Sequence, residues 1–161
     1  MKKLFSTFLV LPMLLTSCVF KDDGWKEYET PELFLAHAVV HSYITVTSSK
    51  MDFEVMDYDL KIRDSILEMK EFTSVKNIDN KSDHYITYKI LISLATSGPN
   101  YSNMYIYDDG NMQIDYKASL GSLHSFYYTF DSTKAPSLVD KIEQQIEENI
   151  EKEQSSSSLE N

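Results

Sequence analysis

Apolar and polar residues alternate along several stretches of this chain, and a period of two predicts strands. Between residues 84 and 94, Ile86, Tyr88, Ile90, Ile92 and Leu94 fall on one face. Tyr85, Thr87, Lys89 and Ser93 fall on the other, with Leu91 as the exception. From Val39 to Thr47 the chain turns β-branched: Val40, Ile44 and Val46 share a face with Ser42, and Tyr43, Thr45 and Thr47 share the opposite one. In 124–130, Phe126, Tyr128 and Phe130 oppose Ser125, Tyr127 and Thr129.

The hairpin around Asp108-Asp109-Gly110 is the sharpest local test of that pattern. A two-residue loop would pair Tyr107 with Met112 and mix tyrosines into the methionine face. A three-residue loop with Gly110 in the left-handed conformation pairs Tyr107 with Asn111. Met104, Ile106, Met112, Ile114 and Tyr116 then share one face, and Tyr105, Tyr107, Gln113 and Asp115 the other. A slip of one residue would exchange the faces, so the three-residue loop is expected.

Two stretches carry helical spacing instead. Residues 57–71 place Leu60, Ile66, Leu67 and Met69 among acids and lysines. From about 133 to 152, Leu138, Val139, Ile142, Ile146 and Ile150 form a stripe, with Pro136 suited to the first turn. Thr30-Pro31-Glu32 is a third helix start, with a capping hydroxyl, a proline and an acid in the first turn. The expected fold is α+β: a mostly antiparallel sheet of four to five strands, with the helices packed on one face as a second layer.

The first residues do not fit that domain. Met1-Lys2-Lys3 is a basic start, Leu4 to Leu14 an apolar run containing Pro12, and Thr16-Ser17 two small residues before Cys18. The run is about half the 20 residues that a membrane-spanning helix needs, and it has the three parts of a secretory signal. Cys18 is the only cysteine in the chain, so an exported thiol there would have no internal disulfide partner.

Leu15-Thr16-Ser17-Cys18 resembles the lipobox of bacterial lipoproteins. The resemblance implies that residues 1–17 are a signal peptide, cleaved before Cys18, whose thiol carries a diacylglycerol and whose new amine is often acylated. Acyl chains contribute about 0.8 kcal/mol per buried CH₂, so two or three anchor firmly where one binds marginally. Residues 18–30 then read as the lipidated N-terminus and a tether, 31–153 as one α+β domain, and 154–161 as a disordered polar tail. The implied location is the outer leaflet of the cell membrane, or the outer membrane of a bacterium that has one. From leader to last helix the layout also resembles small lipoproteins of low-GC Gram-positive bacteria, a family that lends no catalytic residues.

Cleavage leaves about 140 residues, enough for one domain with a real core. It also removes Lys2 and Lys3, which moves the net charge from −10 to −12. That balance argues against nucleic acid and anionic headgroups as partners, since either needs a basic patch.

Catalytic signatures are sparse. The chain holds four glycines and no Gly-x-Ser-x-Gly, Ser-x-x-Lys or Cys/His pairing, so no catalytic residue and no cofactor are expected. His37 and His41 have the spacing that brings two imidazoles to one metal on a helix. The zinc-peptidase pattern needs Glu after the first His, where Ala38 stands, and no third ligand is evident. Asp108-Asp109-Gly110-Asn111 looks like a calcium loop, but Tyr105 and Tyr107 occupy the positions where acids are required.

What is left is the tyrosine- and threonine-bearing side of the sheet. Tyr43, Tyr85, Tyr105, Tyr107 and Tyr127 offer area and a polar handle at low entropic cost. The same residues are also those that tolerate the wet side of a sheet. The expected function is a membrane-anchored, non-enzymatic binding or accessory lipoprotein whose partner is an envelope protein or polymer. The alternatives are an acidic inhibitor or immunity protein against a basic enzyme, and then a metal-dependent enzyme or metal carrier.

Overall fold

A computed structural model describes residues 29–39, 42–94, 98–117 and 121–158. The leader, Cys18, the tether up to residue 28, and His41 lie outside the described residues, as do the side chains of His37 and Tyr43.

The chain is α+β, with helices α1 (Pro31–Val39), α2 (Lys61–Leu67) and α3 (Ala135–Ser158) and strands β1 (Ser42–Ser48), β2 (Val55–Met56), β3 (Thr73–Val75), β4 (Tyr85–Leu94), β5 (Gly98–Tyr107), β6 (Asn111–Lys117) and β7 (Leu123–Thr129). The strands form one seven-stranded antiparallel sheet in the order β2-β1-β4-β5-β6-β7-β3. The expected four to five strands are therefore two to three short of the observed seven. The missing ones, β2 and β3, are edge strands of two and three residues, too short to show an alternation.

The hairpin register is the expected one. Ile106 pairs with Met112 and Met104 with Ile114, which leaves Asp108, Asp109 and Gly110 as the loop. Gly110 has φ of +91°, and Asn111 N–H donates to Asp109 Oδ1 at 3.0 Å across the turn. A Cβ on Gly110 would also collide with the Phe130 carbonyl, because Phe130 N–H bonds to the Gly110 carbonyl as β7 ends. Glycine is thus required twice over, for its dihedral and for the close approach.

Even-numbered residues of the central strands face the helices. Ile44, Val46, Ile86, Tyr88, Ile90, Met104, Ile106, Met112, Ile114, Phe126 and Tyr128 are buried in one cluster with Phe34 and Leu35 of α1, Ile62 and Ile66 of α2, and Leu138, Val139, Ile142 and Ile146 of α3. Thr30 caps α1 as its sequence suggests, its Oγ1 accepting from Leu33 N–H at 3.4 Å.

The expected helix over 57–71 is cut to seven residues by a buried carboxylate. Asp57 is 2% exposed and accepts from Ile62 N–H (3.2 Å), Arg63 N–H (3.0 Å) and the Tyr88 hydroxyl (2.7 Å). It satisfies first-turn donors of α2 that have no partner within the helix. To make that reach, Leu60 adopts φ of +56°, which ends any helix running in from residue 57. Burial, reinforced by the Asp57 charge, raises the Tyr88 phenol far above its ordinary range, so it remains a hydrogen-bond donor to that carboxylate.

The last helix errs the other way. It runs to Ser158 rather than 152, so residues 154–158, expected in a disordered tail, are its final turns. Ser155 and Ser156 hydroxyls donate to the carbonyls of Glu151 (2.7 Å) and Lys152 (2.8 Å), giving the polar end local bonds of its own.

Candidate functional site

Odd-numbered residues of the same strands build the other face, and the register arranges them in rows across the sheet. One row holds Thr47, Thr87, Tyr105, Gln113 and Tyr127 in successive strands β1, β4, β5, β6 and β7. Beside it, Tyr85 of β4 pairs with Tyr107 of β5. On the other side lies Thr45, Lys89, Asn103, Asp115 and Ser125, and beyond that Leu91, Tyr101, Lys117 and Leu123. Tyr101 and Leu123 are more than half exposed.

Three of the five sequence-selected tyrosines meet. Ring centroids of Tyr85 and Tyr107 are 5.5 Å apart, Tyr85 and Tyr105 6.0 Å, and Tyr105 and Tyr107 6.4 Å, all within the range of favourable aromatic pairs. Tyr127 belongs to the same row as Tyr105, two strands away, or roughly 10 Å at ordinary strand spacing. Tyr43 pairs with Leu91 in the β1–β4 register, and its side chain lies outside the described residues.

The face is not uniformly open. β3 lies beside β7 at one edge, while β4 is separated from β7 by two strands, so the 76–84 link must return across the sheet. It does so on the tyrosine side. Lys81 Nζ donates to Gln113 Oε1 and stands 5.8 Å from the centre of the Tyr107 ring, and the Asn80 carbonyl accepts from Asn111 Nδ2. Ile78 is 8% exposed and Tyr107 6%, and neither belongs to the main core cluster. Of the three clustered tyrosines, Tyr85 and Tyr105 stay partly exposed and Tyr107 is buried.

Burial, followed by its phenol neighbours and then Asp115 and Asp109, pushes the Tyr107 hydroxyl up to about 12. Burial and then Asp115 raise Tyr105 as well. Both phenols therefore stay neutral near pH 7 and can donate as well as accept. Next to Tyr85, a groove of about 340 Å³ runs under the 49–54 loop, lined by Thr47, Ser49, Asp52, Glu54, Thr87 and Lys89 among others. Lys89 is ion-paired to Glu54 across its mouth. Aromatic faces, neutral hydroxyls and a polar trough together suit an extended ligand that is stacked and hydrogen-bonded rather than held by charge.

A second cluster has no signal in the sequence, because its members are dispersed along the chain. His84, at the start of β4, sets Nε2 at 3.0 Å from Glu143 Oε1 of α3 and Nδ1 at 3.3 Å from Asp108 Oδ2 in the hairpin loop. Ser48, at the end of β1, donates its hydroxyl to Glu143, and Lys50 Nζ reaches Glu143 Oε2 at 3.1 Å. Partial burial pushes the Glu143 carboxyl up, but hydrogen bonds from Ser48, His84 and Lys50 outweigh it and hold the group below its ordinary 4.5. The Ser48 hydroxyl points to a carboxylate, not to the imidazole, so the arrangement lacks the serine-to-histidine bond of a nucleophilic relay. Its geometry is that of a clamp, fastening α3 to one end of the sheet.

Among the described residues no three His, Cys, Asp or Glu side chains converge on a metal position, and no helix is long and apolar enough to cross a membrane. The chain matches no protein-family model, no curated protein and no solved structure. The functional reading therefore rests on the residues themselves.

Proposed function

We infer that this chain is a lipid-anchored, extracytoplasmic binding or accessory protein of the bacterial envelope, held to the membrane through Cys18. In this reading the fold has two layers. The helices take one face of the sheet and leave the other for a partner, an envelope protein or polymer, and the domain is not an enzyme. The observation that carries the binding role is the Tyr85–Tyr105–Tyr107 ring cluster on that other face, beside a polar groove. The leader and Leu15-Thr16-Ser17-Cys18 support the anchor.

Two substitutions test the halves separately. Cys18→Ser in the full chain should move the protein from the membrane fraction to the soluble fraction with its thermal unfolding unchanged; unaltered membrane retention would refute the anchor. For the face, the full chain is crosslinked in intact cells and compared with a Tyr85→Ser/Tyr105→Ser/Tyr127→Ser variant. The expected result is loss of the crosslinked partner from the variant alone. Equal recovery from both would remove the face as the binding surface. A partner that came off above a few tenths molar salt would favour the acidic inhibitor reading instead, because screening at that strength weakens surface charge pairs.

A further inference from the structure

The two outer edges of the sheet are finished differently. At the β1 edge the outward carbonyls find donors within the chain: Ile44 C=O accepts from Asp57 N–H at 3.1 Å and Ser48 C=O from Met51 N–H at 3.0 Å. At the other edge β3 pairs only with Thr129, Tyr128 and Tyr127 of β7 and ends at Val75. The bond from Phe130 N–H to the Gly110 carbonyl fixes which main-chain groups of β7 turn inward. Counted in twos from Phe130, those of Tyr128, Phe126 and His124 turn to β6, and those of Tyr127, Ser125 and Leu123 turn outward. Val75 meets those of Tyr127, but among the described residues no strand meets those of Ser125 and Leu123. Where the chain leaves β3, a cavity of about 570 Å³ opens onto this edge, lined by Ser74, Val75, Lys76, Ser125, Phe126 and Tyr127. Strand edges are ordinarily shielded by charge, proline or a bulge. From Leu123 to Phe126, β7 has no Asp, Glu, Lys, Arg or Pro, its register is unbroken, and Leu123 is 65% exposed.

We propose that this half-open edge binds an extended segment of a partner protein, which adds to β7 as a strand in line with β3. The chemistry of the edge selects a polypeptide. Each outward residue presents an N–H and a C=O side by side, and the pair recurs every second residue, about 7 Å along the strand. The matching groups at that repeat are the C=O and N–H of another extended main chain. Running antiparallel to β7 as β3 does, the segment begins beside Lys76. Lys76 is exposed and has no carboxylate partner among the described residues, so an acid at the start of the segment is favoured. An apolar residue fits opposite Leu123. Tyr127 is the one residue that this edge shares with the tyrosine face. The contacts here are main-chain groups, so either site can fail without the other, and neither depends on the anchor.

The test uses the full chain, ¹⁵N-labelled in a zwitterionic detergent, and the probe acetyl-Glu-Val-Thr-Val-Thr-amide, whose valines fall opposite Ser125 and Leu123. In the free protein the Ser125 amide should exchange with deuterium about tenfold faster than the Phe126 amide or more, since only the second is bonded within the sheet. The probe should shift the Ser125 and Leu123 amides saturably and slow their exchange, with a dissociation constant of about 1 mM or below. Methylating the two valine nitrogens of the probe removes its facing donors and should weaken binding by about tenfold or more. Ser125→Pro should do the same while the domain stays folded, because the N–H it removes points away from the sheet. Lys76→Glu should weaken this probe and strengthen one that begins with Lys. Ser125 and Leu123 amides unmoved at about 10 mM probe, ten times that constant, overturn the proposal. So does undiminished binding of the methylated probe. A Ser125 amide already protected at every protein concentration would show the edge covered by the chain itself, and protection that grows with protein concentration would assign it to a second copy; either result overturns the proposal.

Discussion

The two faces of the central sheet are built by alternate residues of the same strands, yet they answer to different demands. Along β6, Met112 and Ile114 are completely buried in the core cluster, while Asp115 between Ile114 and Tyr116 accepts from Gln113 and Ser125 on the open face. The covered face is aliphatic with a few aromatic rings, and among the described residues its one deeply buried acid is Asp57, pegged to Tyr88. The open face carries phenols, amides, hydroxyls and paired charges. A side chain on the first face is held by close packing, so its removal leaves a void. One on the second that is bounded partly by water costs less folding energy to remove. Partly exposed aromatic residues that stability does not require are the ones free to be used in binding.

The largest expected effect lies at the centre of the covered face. Ile114→Ala should cost about 2–5 kcal/mol in urea-induced unfolding, because the site cannot collapse around the lost atoms. A cost below about 1 kcal/mol would mean that the face is loosely packed and the contrast between faces is false. Next comes Asp57→Ala, which strands the Tyr88 hydroxyl and two amide donors of α2; the expected loss is about 3 kcal/mol. Tyr88→Phe removes one of those bonds and should cost about 1 kcal/mol, so the pair of variants separates the helix cap from the phenol contact.

Glu143 tests the end of the sheet, where Ser48 and His84 meet α3. Glu143→Gln should cost about 1 kcal/mol at neutral pH by weakening its bonds with Ser48, His84 and Lys50. The folded-state value of this carboxyl is depressed, so its contribution is fully present above the ordinary value of 4.5 and disappears as pH falls through the lower folded value. Chemical unfolding measured from pH 7 to pH 3 should therefore show a smaller acid loss in the variant than in the parent. Parallel curves would show that the clamp does not depend on that charge. The smallest effect belongs to the open face: Tyr105→Ser should change folding stability by under about 1 kcal/mol, read from the same denaturation curves. A larger loss would make the ring cluster a structural element and weaken the case for a binding surface.

Much of this contrast was legible from local pattern. The β5–β6 register followed from segregating Met104, Ile106, Met112 and Ile114 from Tyr105, Tyr107 and Gln113, because a single-residue slip exchanges the faces. Thr30 as a cap and the stripe from Leu138 to Ile146 were equally local signals. The stretch from Asp57 to Leu67 was not. Its acids and leucines read as a continuous amphipathic helix, and nothing in it announces that Asp57 is buried beneath Tyr88, thirty-one residues later. The polar tail misled in the opposite sense: serine is a weak helix former, yet α3 carries on through Ser155–Ser158, whose hydroxyls bond to carbonyls of the preceding turn. Of the proposed binding residues, the sequence identified Tyr85, Tyr105 and Tyr107 as sharing a face but not as one ring cluster.

The amino-acid sequence alone determined the α+β class, the pairing of the central hairpin and which strand positions face inward. These are properties of residues within a few positions of one another, where backbone geometry makes the spacing informative. Only the tertiary structure decided that short strands form both edges, that the 76–84 link returns over the tyrosine face, and that His84, Asp108 and Glu143 converge. It alone left Asn149 buried with its Nδ2 unpaired. Those outcomes depend on which distant segments exclude water from each other, and local periodicity carries no record of that.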